Sequence, residues 1–178
     1  MAVLCIAAAG CGYTVRSSLD EKFQTIHVAA FTNESREYDL QAPLTSAVIR
    51  KFLNDTRLRV VPRARADLVI EGAILNYELK GLTFDRNDDV TQFLTMMTAR
   101  VRVIDNQSGL VVWEDPSLTS ESSFLTQTGS TPSDRLRGNT QTFLPSVRSF
   151  QTSEENQAAS EVLDQIATNI FFRTVEPW

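Results

Sequence analysis

With 178 residues, 42% hydrophobic and 22% charged, the chain is sized for one domain with an ordinary core and an ordinary soluble surface. A formal net charge of -5 excludes nucleic acid as a partner and excludes holding an anionic lipid by bulk charge, so an anion site must be built from local arginines and lysines. A single histidine and two cysteines leave no set of ligands for zinc.

No charge precedes Arg16, and the opening apolar run closes on Ala8-Ala9-Gly10-Cys11. Small residues directly before a cysteine let a signal peptidase approach the backbone, and the thiol of Cys11 then carries a lipid. On this reading residues 1–10 are the remnant of a signal peptide, and residues 11–178 form a single domain. Diacylglycerol and further acyl chains are expected on Cys11, at about 0.8 kcal/mol per buried CH₂. The plainer alternative is an irregular or strand-like N-terminus that contains Gly10-Cys11-Gly12. The run from Met1 to Tyr13 falls short of the roughly 20 apolar residues that a membrane-spanning helix needs, so attachment is by anchor. Cys5 leaves with the signal and Cys11 is acylated, so the mature domain has no thiol and no disulfide.

After the linker Gly12–Lys22, a strand is predicted over Phe23–Thr32, because Ile26, Val28 and Ala30 alternate with Thr25, His27 and Ala29. A polar loop from Asn33 to Asp39 leads into a helix over Ala42–Asn54. Pro43 falls in its first turn, and Leu44, Val48 and Phe52 form one apolar stripe. Arg57–Pro62 reads as a short strand. Asp67–Phe84 reads as a long one, with Val69, Ala73, Leu75, Tyr77 and Leu79 mostly on one side and Gly72 and Gly81 marking bends or bulges. The turn Asp85–Asp89 returns the chain into Val90–Asp105, where Ala99, Val101 and Val103 alternate with Arg100 and Arg102. Asp105–Gly109 is a hairpin turn, after which Leu110–Glu114 pairs back. Pro116–Gln151 is rich in Ser and Thr with little hydrophobic period, and reads as a long loop ordered by a partner or not at all. Thr152 and Glu155 form a capping box for a last helix that ends near Thr174, with Ala159, Val162, Ile166 and Ile170 on one face. The order β-α-β-β-β-β-α indicates an α+β two-layer sandwich with both helix stripes on one sheet face.

Catalytic chemistry is not apparent. His27 lies mid-strand with no nucleophile elbow in the sequence, and reads as a solvated side chain rather than a base. Asp85-Arg86-Asn87-Asp88-Asp89 begins like a calcium loop but has Val90 at the glycine position and Met96 at the bidentate glutamate position. No glycine loop for phosphates occurs. The expectation is a protein that is not an enzyme and holds no cofactor or metal.

Several segments together resemble a known family. Cys11-Gly12-Tyr13 leads to Ile26-His27-Val28-Ala29-Ala30-Phe31-Thr32-Asn33. Leu44-Thr45-Ser46-Ala47, Leu58-Arg59-Val60-Val61 and Ala66-Asp67-Leu68-Val69-Ile70-Glu71-Gly72 follow. Asp105, Gly109, Val112-Trp113-Glu114 and an alanine-rich final helix complete the set. In order and spacing, this is similar to the lipopolysaccharide-assembly lipoprotein family LptE over nearly the whole mature chain. The family often has proline where Ala29 stands. The resemblance implies a roughly four-stranded mixed sheet with two helices packed on one face. It also implies an outer-membrane lipoprotein, anchored at the periplasmic face, that plugs a large β-barrel partner of the LptD type and helps deliver lipopolysaccharide to the outer leaflet. Gly12 after Cys11 is not Asp, in keeping with sorting to the outer membrane. The alternative is a periplasmic lipoprotein that acts as chaperone or carrier for another outer-membrane client.

A barrel lumen is polar, so a plug needs a hydrogen-bonding surface. Lipopolysaccharide phosphates would need arginine, for which Arg100 and Arg102 on one strand face are the first candidates and Arg86 a poorer one. The competing reading is of ordinary arginines on the wet side of a sheet. For the anchor, Cys11→Ala is expected to leave the protein soluble in the periplasm; fractionation and mass spectrometry that find the variant membrane-bound and acylated would refute the assignment.

Overall fold

The computed structural model describes residues 19–20, 22–55, 57–86, 90–125 and 153–176, with side chains of the last segment described from residue 157. Cys11, the residue 1–10 segment, the capping-box Thr152 with the Glu155 side chain, and the stretch 126–151 lie outside the described residues.

Helix α1 (Gln41–Asn54) buries Leu44, Ala47, Val48 and Phe52, the predicted stripe. Helix α2 (Ser153–Val175) buries Ala159, Val162, Ile166 and Ile170 in the same way. The first stripe and, from the second, Val162, Ile166 and Ile170 join one core cluster with Ile26, Leu68, Ile70, Met97, Ala99, Val101 and Val103 from the sheet. Edge-to-face contact of Phe52 with Phe171, centroids 5.2 Å apart, locks the two helices together.

The sheet is mixed and has six strands rather than four. β1 (Thr25–Val28) lies between β3 (Arg59–Val60) and β4 (Leu68–Phe84) and is parallel to both. This is the arrangement α1 permits, since a parallel pair needs a long crossover. β4, β5 (Val90–Asp105) and β6 (Val111–Leu125) then form an antiparallel meander. The order read from the sequence has five strands, one more than the resemblance implies, because it includes Arg57–Pro62, here shortened to β3. The sixth arises because the predicted Phe23–Thr32 strand is broken, so β2 (Thr32–Asn33) pairs with β4 as a separate short strand.

Two further expectations are corrected. Pro116–Leu125 is not loop: it continues β6 and pairs with β5 as far as Gln92. Leu118 pairs with Ala99 and Asp115 with Val101, so Pro116 and Ser117 form a bulge on a strand at the end of the sheet path, where the missing N–H of proline is tolerated. Nor do Val69, Ala73, Leu75, Tyr77 and Leu79 share a face. Ile74 pairs with Ala99 and Asn76 with Thr98, so Leu75 is an extra residue and the parity of β4 reverses there. Leu68, Ile70 and Ile74 therefore face the helices before the bulge, and Tyr77 does so after it.

Gly72 is required where β1 breaks. A Cβ built there would lie 2.4 Å from the Phe31 ring and 2.8 Å from the Arg100 carbonyl oxygen, and Phe31 is 2% exposed. Gly72→Val is expected to cost about 1–3 kcal/mol by overpacking, read as a lower midpoint in denaturant; an unchanged midpoint would show that Phe31 can move aside.

Candidate functional site

The segment Ala66–Gly72 shows why its residue types stand in that order. Asp67 opens β4 opposite the start of β1, and its Oδ2 accepts hydrogen bonds from Gln24 N (3.0 Å), Thr25 N (2.9 Å) and Thr25 Oγ1 (2.7 Å). The Thr25 hydroxyl, followed by those backbone N–H groups, holds the Asp67 carboxyl below the usual carboxylate range against the opposing effect of burial. Asn106, in the β5–β6 turn, donates Nδ2 to the carbonyls of Arg63 and Ala66, and its N–H to the Asp67 carbonyl. The turn closes at Gly109, whose φ of 72° suits glycine. Leu68 and Ile70 go to the core, and Gly72 admits Phe31.

Glu71 points the other way, onto the face of the sheet away from the helices. Arg102 Nη2 lies 2.7 Å from Glu71 Oε2 and Arg63 Nη2 lies 2.9 Å from Oε1. Arg102, then Arg63, holds the Glu71 carboxyl below its ordinary range. Arg100 pairs with Glu34 at 2.8 Å, and Glu114 stands beside Arg102 in the β5–β6 register. Glu71, Arg100, Arg102 and Glu114 line an open depression of about 630 Å³ together with Ala29, Ala30, Gly72 and Ala73. Its lining runs from the β1 break to the Pro116 bulge.

The structure thus brings Arg100 and Arg102 together as predicted, each about half exposed (53% and 55%). It separates Arg86, which lies beyond the end of β4; Ala73, opposite Arg100, and Phe84 are roughly 35 Å apart at ~3.3 Å per residue. Sequence reading missed Arg63, Glu34 and Glu71 as partners. Their signal was available only in the register that sets Glu71 opposite Arg102. The arrangement offers guanidinium groups to an anion while each is already held by a carboxylate, so binding there means exchanging one acid for another.

His27 donates from Nδ1 to the Val61 carbonyl at 3.1 Å, since a carbonyl can only accept. Among the described residues no group of three His, Cys, Asp or Glu side chains gathers as a metal site, and no helix is long and apolar enough to cross a membrane.

The family model described as "LptE: Lipopolysaccharide-assembly" matches residues 23–174. Among solved structures, the chain is similar to a hypothetical protein of Chlamydia trachomatis (13% identity, 85% of this chain and 98% of that one, TM-score 0.53). It is also similar to a Xanthomonas campestris protein of the DUF330 family (12% identity, 86% and 84%, TM-score 0.53). At these identities the likeness concerns the fold alone. No curated protein matches the chain.

The Asp67 latch carries a signed pH dependence. Because its carboxyl is depressed in the folded state, its contribution is complete above the unfolded value and disappears as pH falls through the folded one. Asp67→Ala is expected to cost about 1.5–3 kcal/mol near neutrality, the scale of hydrogen bonds to a charged group. The gap from the parent protein should hold down to about pH 5 and narrow below about pH 4 in denaturant titrations; a gap independent of pH would remove the carboxylate from the account.

Proposed function

The chain belongs to the LptE family of lipopolysaccharide-assembly proteins, and from that premise we propose that it plugs a large outer-membrane β-barrel of the LptD type and takes part in passing lipopolysaccharide through it. Membership itself makes it a lipoprotein of lipopolysaccharide assembly and outer-membrane biogenesis. The plug role, the Cys11 anchor on a single domain of residues 11–178, and the lipid-contacting arginines are the finer parts of the reading.

The observation that carries the plug is the sheet face opposite the helices. Arg63, Arg100 and Arg102 there are matched by Glu34, Glu71 and Glu114. A face with both signs interleaved and hydroxyl groups such as Thr98 and Thr119 between them suits a polar lumen wall. It does not suit an apolar client, which counts against the carrier alternative. Arg100 and Arg102 remain the groups we propose for lipopolysaccharide phosphates, reached by displacing Glu34 and Glu71. These exposed ion pairs contribute only about 0–1 kcal/mol each, so the exchange costs the fold little.

The test is an affinity pull-down of the full-length protein from detergent-solubilised outer membranes of its own host, read by mass spectrometry and assayed for lipopolysaccharide. Stoichiometric recovery of a large β-barrel is expected. An Arg100→Glu/Arg102→Glu variant should bring down the same barrel with about a hundredfold less lipopolysaccharide, the loss of two charged contacts at about 1.4 kcal/mol each. Acylated protein recovered without a barrel would overturn the plug; unchanged lipopolysaccharide with the variant would overturn the arginine assignment.

A further inference from the structure

The long sheet has two ends that differ in what they expose and in where the chain enters. The first described residues sit at the end where β4 begins: Lys22 Nζ lies 3.9 Å from Asp105 Oδ2, and Gln24 N is held by Asp67. At this same end the β5–β6 hairpin leaves three consecutive apolar residues uncovered, Leu110 (70% exposed), Val111 (49%) and Val112 (36%). Val103 pairs with Trp113 and Ile104 with Val111, so Val112 is an extra residue that pushes the strand outward there. Exposed Arg65 lies close by, because Asn106 of the hairpin turn binds the Arg63 and Ala66 carbonyls that flank it. Lys22 and Arg65 set two cationic side chains among the carboxylates of Asp20, Asp67 and Asp105 at this end.

We propose that this hairpin shoulder is a membrane-contact surface, with Leu110, Val111 and Val112 seated in the interfacial layer of the lipid bilayer that holds the anchor. The inference rests on the Cys11 anchor reading, and the length of the tether selects the surface. Residues 11 to 19 can span at most about 28 Å fully extended, at ~3.5 Å per residue. The opposite end of the sheet also exposes apolar side chains, Leu82, Phe84 and Leu125. It stands about 50 Å away, the length of β4 from Leu68 to Phe84 at ~3.3 Å per residue. A short tether therefore holds the Leu110 shoulder beside the lipid around the anchor, while the Phe84 end is left to the barrel. Uncovered aliphatic side chains next to cationic heads fit an interface in which apolar groups sink about 5–10 Å and charges stay with the headgroups.

The mature acylated protein offers no free thiol if Cys11 is modified, so single cysteines can be introduced and labelled cleanly. Leu110→Cys, Val112→Cys, Leu82→Cys and Phe84→Cys would each carry an environment-sensitive fluorophore. The probe is a vesicle of phosphatidylethanolamine and phosphatidylglycerol containing a headgroup-region nitroxide lipid. About twofold stronger quenching at positions 110 and 112 than at 82 and 84 is expected, as for groups within the interfacial layer. Equal quenching at both ends, or stronger quenching at 82 and 84, would overturn the inference. Intact mass measured on the same samples keeps the two readings apart. Absence of acyl chains on Cys11 overturns the anchor and this inference together, whereas an acylated protein without preferential quenching at the shoulder overturns this inference alone.

Discussion

Strand β1 meets β4 through a parallel ladder of three register pairs, Ile26 with Leu68, His27 with Val69 and Val28 with Ile70. So short a ladder does little to fix strand order, and everything on the β3 side of the sheet hangs from it. The Asp67 carboxylate supplies the missing constraint by gathering two backbone N–H groups and the Thr25 hydroxyl at the point where the strands begin. At the other end of β1, the Thr45 hydroxyl accepts from the Phe31 N–H and donates to the Gln41 carbonyl, tying the strand break to the first turns of α1. Phe31 can lie there only because residue 72 has no side chain. Asp67, Thr45, Phe31 and Gly72 thus work as one clamp around β1, and α1, β3 and the floor of the exposed depression take their positions from it.

That clamp explains the family resemblance in physical terms. The segments that carry it are the ones that place strands: Thr45 at the break, Leu58 buried beneath β3, Asp67 at the latch, Gly72 under Phe31, Gly109 in the turn, and Trp113 with its indole N–H on the Thr174 hydroxyl. Glu71 and Glu114 are members of the set that look outward. In this chain those residues build a scaffold and leave the exposed face to pairs such as Arg100–Glu34.

Both helix stripes could be read from the sequence because a 3.6-residue period survives intact over α1 and α2. The alternation of Ala99, Val101 and Val103 against Arg100 and Arg102 was equally legible, since β5 contributes no extra residue there. β4 misled because one inserted residue, Leu75, exchanges its faces, and the period of 2 carries no record of where an insertion falls. β6 escaped for a different reason. Its inner face beyond Leu118 is Ser120, Ser122 and Phe124, and a hydropathy pattern gives no weight to buried serines. They can be buried because α2 satisfies them: Ser122 donates to Glu161 at 2.6 Å, and Asn169 Nδ2 donates to Ser120 at 3.3 Å. The pairing of Arg63, Glu71 and Arg102 was invisible for want of the strand register.

The hydroxyl tier has a mechanical consequence for the plug reading. Between the main core and the small cluster of Phe93, Phe124 and Ala158, the sheet and α2 meet through Thr95, Ser120 and Ser122 rather than through methyl groups. The hydrogen bonds of Ser120 and Ser122 there specify register but bury little apolar area, and the Thr95 hydroxyl is buried without a partner among the described residues, so the distal part of the β4–β6 meander gains less from the helices than the end near Asp67 does. Stability is therefore graded along the strands, highest at the clamp and lowest toward Phe84 and Leu125. A protein anchored beside the clamp and docked through its distal end would keep its rigid part at the membrane. Its adaptable part would then face the barrel wall, where partner contacts can supply the order that the helices do not.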